Sequence, residues 1–295
     1  MRIITWNVKR ANENSEVWEL IQNYNPDIAL LQEVVDLPKN KFKNFEIVSK
    51  YAINKSGNPQ IFKTAILIKG KIIKEINFES ENIWVNKALS FFKGNLVAYK
   101  IKLTNLQSFN IVSIYSPAWI VDINKINSLN DSNIKLEPNS TPFKKFMFWY
   151  NDGSKSKINK IIKLWMTDLI QFILENYITK NNNWIIGGDY NSSETFDKEY
   201  KRQHNIYKGF GSSGNKQIRE DMYEMGFKEC LFEFNKKLVP TFININNKVH
   251  VHQLDHLYVS KNIYGNIKNC FVGDKSLIFR NHLSDHLPII ADFKN

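Results

Sequence analysis

The sequence predicts an α/β protein in which two packed, mainly antiparallel β-sheets carry helices on their outer faces, a four-layer α/β/β/α sandwich. Three observations predict this arrangement. The chain opens with a strand, a helix and a strand; residues 45–115 then read as strands in quick succession; the remainder mixes helices with short strands. A meander of strands between helical segments favours two sheets over a repeated β-α-β unit.

The opening segment reads as one β-α-β unit. Arg2–Asn7 is strand-like, and residues 15–24 carry apolar side chains at helical spacing after a polar start. Asp27–Gln32 is nearly all apolar, which is typical of a strand buried on both faces. Because open α/β sheets bind ligands at the carboxyl ends of their strands, we expect Asn7 and Glu33 to lie side by side there.

The middle of the chain predicts strands without helices, and the sequence around Gly70 is typical of a hairpin turn between two of them. Residues 118–156 are polar and irregular, and we expect them to form an insertion. The strand-like segments are Phe45–Tyr51, Lys63–Lys69, Lys71–Phe78, Leu96–Leu103 and Phe109–Tyr115.

Beyond the insertion, residues 158–177 have the apolar spacing of a helix, and Trp184–Gly187 reads as another buried strand. A polar loop at 192–214 and a helix at 217–225 follow. Strands are expected near Thr241–Ile245, Leu254–Ser260 and Leu287–Phe293. We find no repeat and no linker that would divide the chain.

The composition indicates a globular protein with a basic surface. Of the 295 residues, 43% are hydrophobic and 13% aromatic, and 40 Lys and Arg against 29 Asp and Glu give a net charge of +11. This charge suits a polyanionic partner such as nucleic acid, but a lysine-rich solvent face explains it as well. Cys230 and Cys270 lie in apolar stretches, which favours buried thiols over a disulfide or a zinc site.

No segment resembles an export signal, and none approaches the ~20 apolar residues of a membrane span. We therefore expect a soluble, cytoplasmic protein.

Four short polar groups, spread from one end of the chain to the other, follow or begin apolar strands. Gathered at one edge of a sheet, their carboxylates, amides and imidazole would make a site for a hard divalent cation and a phosphate. The groups are Thr5-Trp6-Asn7 with Leu31-Gln32-Glu33, Gly187-Gly188-Asp189-Tyr190-Asn191, Gln253-Leu254-Asp255-His256 and Ser284-Asp285-His286-Leu287-Pro288.

Each group also has a purely structural interpretation. Glu33 could mark a strand end that reaches water, residues 189–191 could form a plain Asx turn, and Asp285 could cap a strand beside an incidental His286. Asp255 differs, because a carboxylate inside an apolar strand is costly unless it is paired. A nearby imidazole such as that of His286 would be a suitable partner.

The joint occurrence of these groups in this order resembles the endonuclease/exonuclease/phosphatase superfamily, which has the deoxyribonuclease I-like fold. The similarity runs from Thr5-Trp6-Asn7 to Ser284-Asp285-His286, and Gly-Asp-x-Asn followed by a late Ser-Asp-His is its most specific part. Tyr115-Ser116-Pro117 looks like the Tyr-x-Pro segment of abasic-endonuclease-like branches, although a core aromatic also explains Tyr115. The resemblance implies one catalytic domain over residues 1–295, with an insertion around 118–156.

Members of this superfamily cleave phosphoesters with Mg²⁺ or Mn²⁺, and the resemblance assigns roles to the matching residues. It implies that Glu33 is the principal metal ligand, with Asn7 and Asp285 beside it. Asp189 would orient and deprotonate the attacking water. Asn191 would hold that water or a phosphate oxygen.

The resemblance also implies a set of phosphate contacts. His286 would bind the scissile phosphate and stabilise its developing charge, and Asp255 would orient His286 and keep it cationic. Tyr115 would donate to the phosphate or the leaving oxygen. Asn7 and Asn191 would contact the substrate as well.

The catalytic core does not choose among DNA, RNA, lipid headgroups and soluble phosphates, because the surrounding loops do so. The net charge and the basic loop that contains Lys201 and Arg202 favour nucleic acid. Residues 143–150 mix aromatic and lysine side chains, either as a surface on which a strand stacks or as a patch that folds the insertion onto the domain.

Three departures argue against dedicated abasic-site repair: Val8-Lys9-Arg10-Ala11, Ala118-Trp119 and Gln253 stand where those enzymes commonly carry other residues. We predict a DNA-directed endonuclease or exonuclease without an obligate protein partner. The alternatives are a phosphatase or phosphodiesterase acting on a phosphoinositide or another small or lipid phosphoester, and a catalytically silent member that only binds nucleic acid.

Overall fold

The computed structural model describes residues 1–79, 83–119, 166–178, 183–195, 215–244 and 249–294. The strands are β1 (Arg2–Ala11), β2 (Ile28–Val34), β3 (Glu46–Ile53), β4 (Pro59–Ile68), β5 (Gly70–Glu75), β6 (Leu96–Leu103), β7 (Ser108–Tyr115), β8 (Trp184–Asp189), β9 (Phe227–Glu229), β10 (Phe242–Asn244), β11 (Val249–His252), β12 (Asp255–Ser260), β13 (Ile267–Val272) and β14 (Ile289–Phe293). The helices are α1 (Val17–Tyr24), α2 (Ile83–Phe91), α3 (Met166–Tyr177), α4 (Asn215–Glu224), α5 (Cys230–Asn235), α6 (Lys261–Tyr264) and α7 (Lys275–Arg280), and a 3₁₀-helix spans Lys39–Phe42.

Two six-stranded sheets form the centre of the fold, and each contains one parallel pair of strands. The first sheet has the order β13-β14-β1-β2-β4-β3 with β1 and β2 parallel, and the second has the order β5-β6-β7-β8-β12-β9 with β7 and β8 parallel. The other pairs in these sheets are antiparallel. The predicted class of two packed, mainly antiparallel sheets is confirmed, and so is the β-α-β opening.

The layer between the two sheets is apolar, because successive strand residues face opposite sides of a sheet. Ile3 and Leu30 of the first sheet belong to the same buried cluster as Ile111 and Ile185 of the second. This cluster joins the sheets face to face.

Helices cover the two outer faces. Trp18 of α1 is fully buried in a cluster with Ile4. Ile4 follows Ile3 in β1, so its side chain points to the face opposite the inter-sheet layer. On the other side, Ile170 of α3 shares a cluster with Val112 and with other residues of the second sheet. Burying one such aliphatic side chain contributes about 1.5–3 kcal/mol. Each sheet therefore buries both faces, one against the other sheet and one against the helices.

Two buried polar links connect the sheets near the ends of the parallel pairs. Gln32 Nε2 of β2 donates to Ser113 Oγ of β7 over 3.0 Å. Asn95 accepts from the Ile53 amide at 2.8 Å and donates to the Tyr115 carbonyl at 3.2 Å. These links fix the end of β7 relative to the first sheet.

Two expectations from the sequence are wrong. The hairpin around Gly70 does not form: β4 pairs with β2 and β3, whereas β5 begins at Gly70 and pairs with β6 in the other sheet. Glycine is needed here because a Cβ would lie 2.2 Å from the Lys102 carbonyl oxygen. The run of strands is also interrupted, since α2 separates β5 from β6.

Cys230 and Cys270 are free and buried, as the sequence predicts, and burial raises the pKa of both thiols. Within the described ranges, none of the helices is long and apolar enough to span a bilayer. The helix expected at 158–177 is described only from Met166, and the predicted loop at 192–214 is described only to residue 195.

Candidate active site

The polar groups predicted from the sequence meet at one edge of the sandwich, where both parallel strand pairs end. Asn7 of β1 lies opposite Gln32 in the register, one residue before Glu33 of β2. In the second sheet, Asp189 ends β8 between Tyr115 of β7 and Asp255 of β12, which are its partners in the two neighbouring strands.

Asp189 is buried at the centre of this group and accepts three hydrogen bonds. Its Oδ1 accepts from the Asn191 amide at 2.9 Å, and its Oδ2 accepts from Asn7 Nδ2 at 3.0 Å and Asn191 Nδ2 at 3.1 Å. Burial raises the pKa of Asp189, the His286 charge lowers it and the Asp255 charge raises it, to about 7. The carboxylate can therefore take up or release a proton near neutral pH.

His286 and Asp255 form a buried ion pair, as the sequence predicts. His286 Nδ1 donates to Asp255 Oδ2 at 2.8 Å, and His286 Nε2 lies 3.9 Å from Asp189 Oδ2. Burial alone lowers the pKa of His286, but the charges of Asp255 and Asp189 outweigh it and raise that pKa to about 10. His286 is thus an imidazolium at neutral pH, with its second N–H directed toward Asp189.

Two hydroxyl groups that the sequence reasoning missed fix this pair. Thr241 Oγ1 accepts from the Asp255 backbone amide at 3.1 Å. Ser284 Oγ donates to the Asn7 carbonyl at 2.7 Å and accepts from the His286 amide at 3.0 Å. Ser284 belongs to the Ser-Asp-His motif, so its role near His286 could have been predicted from the sequence. No feature of the sequence distinguishes Thr241.

Glu33 and Asp285, the predicted metal ligands, are the more exposed acids of the site. Their side chains are 17% and 25% exposed, whereas those of Asp189 and Asp255 are 2% and 0% exposed. Glu33 has the positive φ of 57°, and its Oε1 lies 3.4 Å from Asn7 Nδ2. Asn7 Oδ1 accepts one bond, from the Lys9 amide at 3.0 Å, and a carbonyl oxygen can accept another.

Tyr115 and Asn191 complete the predicted catalytic residues. Burial and the charges of Glu33 and Asp189 raise the pKa of Tyr115 well above its usual range, so its phenol stays protonated. Asn191, at φ 47°, donates from Nδ2 to the Ser116 carbonyl at 2.8 Å as well as to Asp189. The Asx turn considered as an alternative is present, and it orients the Asn191 amide group.

Two sets of side chains could be considered for a metal. Asp189, Asp255 and His286 place one potential ligand atom each within 4.8 Å of one another. His286 Nδ1 in this set is already bonded to Asp255, and the charges of Asp255 and Asp189 favour the protonated ring, so the set also suits a phosphate beside His286. The oxygens of Glu33 and Asp285, with Asn7 Oδ1, are the donors that Mg²⁺ and Mn²⁺ prefer.

A second buried carboxylate and imidazole, Glu229 and His256, lie directly beside the first pair; the sequence prediction gave His256 no role and did not include Glu229. His256 follows Asp255, its Nε2 lies 2.9 Å from the Ser192 carbonyl oxygen, and its Nδ1 lies 3.9 Å from Glu229 Oε1. Burial raises the pKa of Glu229. Glu229 could have been predicted by the criterion applied to Asp255, because it too is an acidic residue within a largely apolar stretch.

The other predicted contacts fall outside the described residues. Lys201 and Arg202, the cluster at 143–150 and nearly all of the insertion at 118–156 belong to them. Their proposed contributions to substrate binding stay predictions.

A two-sheet α/β sandwich with acids, amides and an imidazolium at the edge where its parallel strands end defines the class of deoxyribonuclease I-like proteins. The chain belongs to the endonuclease/exonuclease/phosphatase family, whose family model matches residues 4–286. The resemblance noted in the sequence is confirmed. Members of this family hydrolyse phosphoesters, as nucleases or phosphatases.

Several solved structures share the fold at low sequence identity. An AP endonuclease from Archaeoglobus fulgidus is 16% identical over 100% of both chains, with a TM-score of 0.64. A 3'-5' exonuclease (NExo) from Neisseria meningitidis is 16% identical over 100% of both chains, with a TM-score of 0.61. The endonuclease domain of TRAS1, a telomere-specific non-LTR retrotransposon, is 15% identical over 99% of this chain and 97% of that one, with a TM-score of 0.53. A comparison with curated proteins finds no significant match.

Proposed function

We propose that this protein is a Mg²⁺- or Mn²⁺-dependent phosphoester hydrolase that acts on DNA as an endonuclease or exonuclease. One observation carries the proposal: the buried carboxylate of Asp189 lies 3.9 Å from Nε2 of the buried His286, whose Nδ1 is bonded to Asp255, at the edge that also holds Glu33 and Asn7. A base and a fixed cation so close together suit attack of water on a phosphate.

His286 supplies the fixed positive charge. Its Nδ1 proton is bound by Asp255, so its Nε2 proton is free to donate to a non-bridging phosphate oxygen. A preorganised cation in a buried site stabilises charge that develops in the transition state without reorganisation. Asp255 acts as a positioning residue, because it keeps His286 protonated and oriented.

Asp189 is the proposed general base. A catalytic base is most effective when its pKa is near the working pH, and that of Asp189 is about 7. The amide groups of Asn7 and Asn191 orient the carboxylate and can donate to the attacking water or the phosphate. The neutral phenol of Tyr115 donates to the phosphate or the leaving oxygen.

Glu33, Asp285 and Asn7 Oδ1 would hold the metal. When bound there, a divalent cation supplies Lewis-acid polarisation of the phosphate and stabilises the leaving oxygen. The partial exposure of Glu33 and Asp285 leaves room for the water ligands that Mg²⁺ retains.

DNA is the proposed substrate class, and two facts support it. The net charge of +11 favours a polyanion. One structure with the same fold is that of a variant of the 3' phosphatase NExo from Neisseria bound to product DNA hairpin, at 16% identity over 100% of both chains and a TM-score of 0.59. We also propose that residues 1–295 form one catalytic domain, with Lys201, Arg202 and the insertion at 118–156 contributing to substrate choice.

The test is a substrate panel of supercoiled plasmid, single-stranded DNA, RNA, abasic duplex and inositol phosphates, each with Mg²⁺ and with EDTA. We expect plasmid nicking or DNA degradation with Mg²⁺ only. Glu33→Ala, Asp189→Ala and His286→Ala should each lower the rate at least about 100-fold while remaining folded, and Asp36→Ala, at an exposed acid, should not.

The outcomes separate the alternatives. Turnover confined to inositol phosphates would replace the nuclease by a phosphatase. Metal-independent DNA binding without cleavage of any substrate would identify a silent binding protein. Unaltered turnover in folded Asp189→Ala and His286→Ala would reject the proposed roles of both residues.

A further inference from the structure

Two consecutive basic residues, Lys9 and Arg10, form a bulge that follows Asn7 and the buried Val8. The register between β1 and β2 shifts between Asn7 and Ala11, and Lys9 and Arg10 have the positive φ values of 48° and 57°. Positive φ is uncommon for residues with a Cβ and costs conformational free energy, so the surrounding structure must impose it. The bulge turns both side chains toward the edge that carries the site.

Each basic side chain is paired with one of the two proposed metal-ligand carboxylates. Lys9 Nζ lies 3.8 Å from Asp285 Oδ2, and Arg10 Nε lies 3.9 Å from Glu33 Oε2. Both distances exceed the 2.7–2.9 Å or so of a tight charge-assisted hydrogen bond. The pairs are therefore loose, and either cation can exchange its carboxylate for another anion.

The two cations are also accessible. The Lys9 side chain is 35% exposed and the Arg10 side chain 63% exposed. The Arg10 guanidinium lies 5.8 Å from the centroid of the Phe62 ring, which packs edge-on against Tyr115 at 5.2 Å. Arg10 thus extends from the site along the surface above a predicted catalytic residue.

We propose that Lys9 and Arg10 form an anion-binding site for the phosphates that flank the scissile phosphate of a nucleic-acid strand, and that they compete with the metal for Asp285 and Glu33. This inference rests on the proposed function. A carboxylate that binds a divalent cation no longer compensates the neighbouring basic residue, so metal binding releases positive charge for the substrate. A substrate with one phosphate fills the scissile position alone, whereas a strand also supplies anions to the bulge.

The competition predicts effects of opposite sign on two ligands. Removing the basic charges should tighten metal binding in the absence of substrate, because their repulsion of the cation and their pairing with its ligands are lost. The same removal should weaken binding of a polyanion. A bulge that only supports the fold would weaken both.

The test compares the wild-type protein with Lys9→Gln, Arg10→Gln and the double variant, and uses Lys43→Gln as the matched exposed-lysine control. Mn²⁺ affinity is measured by electron paramagnetic resonance without substrate. Binding of a fluorescent single-stranded oligonucleotide is measured by anisotropy in EDTA over a range of salt. The ratio of kcat/KM for the oligonucleotide to kcat/KM for bis(p-nitrophenyl) phosphate, a diester with one phosphate, is measured with Mg²⁺.

For the double variant we expect at least threefold tighter Mn²⁺ binding and at least tenfold weaker oligonucleotide binding. The slope of log affinity against log salt should fall by about 1.4, from two single-strand phosphate contacts at about 0.7 each. The ratio of kcat/KM values should fall at least tenfold, and Lys43→Gln should leave all three quantities unchanged.

Unchanged oligonucleotide affinity, unchanged Mn²⁺ affinity, or weakening of both ligands together would overturn the inference. Absence of oligonucleotide binding by the wild-type protein would overturn it as well. Failure of the proposed function gives a different pattern. A protein that binds the oligonucleotide through Lys9 and Arg10 but does not cleave it retains the anion site and rejects the nuclease.

Discussion

The buried pair formed by Asp255 and His286 should carry a measurable share of the free energy of unfolding, and the substitution Asp255→Asn isolates that share. The asparagine matches the aspartate in shape, and its amide oxygen can still accept from His286 Nδ1. The charge that keeps the imidazole protonated is lost. Asp255 Oδ1 has no hydrogen-bond partner among the described residues, so the new amide group breaks no existing bond there.

The magnitude follows from the pKa of His286, which is about 10 in the folded protein. Against an unfolded value of about 6.5, a difference of roughly 3.5 units at about 1.4 kcal/mol each contributes at most about 5 kcal/mol. Because the folded pKa is raised, this contribution is fully present below about pH 6.5 and is lost as the pH rises through about 10. Loss of the Asp255 charge lowers the pKa of Asp189, whose carboxylate then still attracts the imidazolium in the variant, so we expect a loss of about 3 kcal/mol at pH 6 and much less at pH 10.

The assay is urea unfolding followed by tryptophan fluorescence at pH 6, 8 and 10, with EDTA present. Asp36→Asn, at an exposed position, is the control and should change the free energy of unfolding by less than about 0.5 kcal/mol at each pH. A loss in Asp255→Asn that is equal at pH 6 and pH 10 would refute the role assigned to the charge. A loss below about 0.5 kcal/mol at pH 6 would show that the pair contributes nothing to stability.

Two further substitutions address the groups around the site. His256→Leu removes the hydrogen-bond partner of the Ser192 carbonyl oxygen and of the buried Gln253 side chain, and should lower the free energy of unfolding by about 1–3 kcal/mol for each buried group left without a partner, measured by urea melts at pH 7; a change within the range of Asp36→Asn would show that these bonds are dispensable. Asn95→Ala removes the partners of the part-buried Ile53 amide and the buried Tyr115 carbonyl and should cost about 1–3 kcal/mol, chiefly from the buried carbonyl; wild-type stability would mean that water replaces the link.

The layered fold could be predicted because its strands are long and regularly patterned. Leu96–Leu103 has the same bounds in the sequence prediction and in the structure. The strands that were missed include β9 and β11, which have three and four residues and are too short to show a period. Gly70 was misread because a local turn signal does not determine which strands pair, and the chain passes there from one sheet to the other.

The candidate site could be predicted where a residue type conflicts with its surroundings. Asp255 stands in an apolar strand, so burial demanded a partner, and the structure supplies His286. Glu229 satisfies the same criterion but ends a strand that was not recognised. Thr241 could not be found, because a threonine at the beginning of a strand is ordinary and only its contact with the Asp255 amide makes it significant.

The topology explains why residues at the two ends of the chain could be assigned to one site. β12 runs antiparallel to β8, and β14 runs antiparallel to β1, so their amino-terminal ends lie where β8 and β1 end. Residues after early strands therefore meet residues before late strands, as the bond from Trp6 Nε1 to the His286 carbonyl shows at a separation of 280 positions.

Strand topology does not determine the side chains of Lys9 and Arg10 in the same way. The strand directions place the acids and the imidazole, and a register slip by one residue would turn the strand side chains of the site to the opposite face. The bulge, by contrast, interrupts β1 after the last of those residues, and its side chains can change without altering the pairing that assembles the site. Strand topology thus holds the other site residues in place, and we expect the proposed choice between a strand and a single phosphate to respond to substitutions at Lys9 and Arg10.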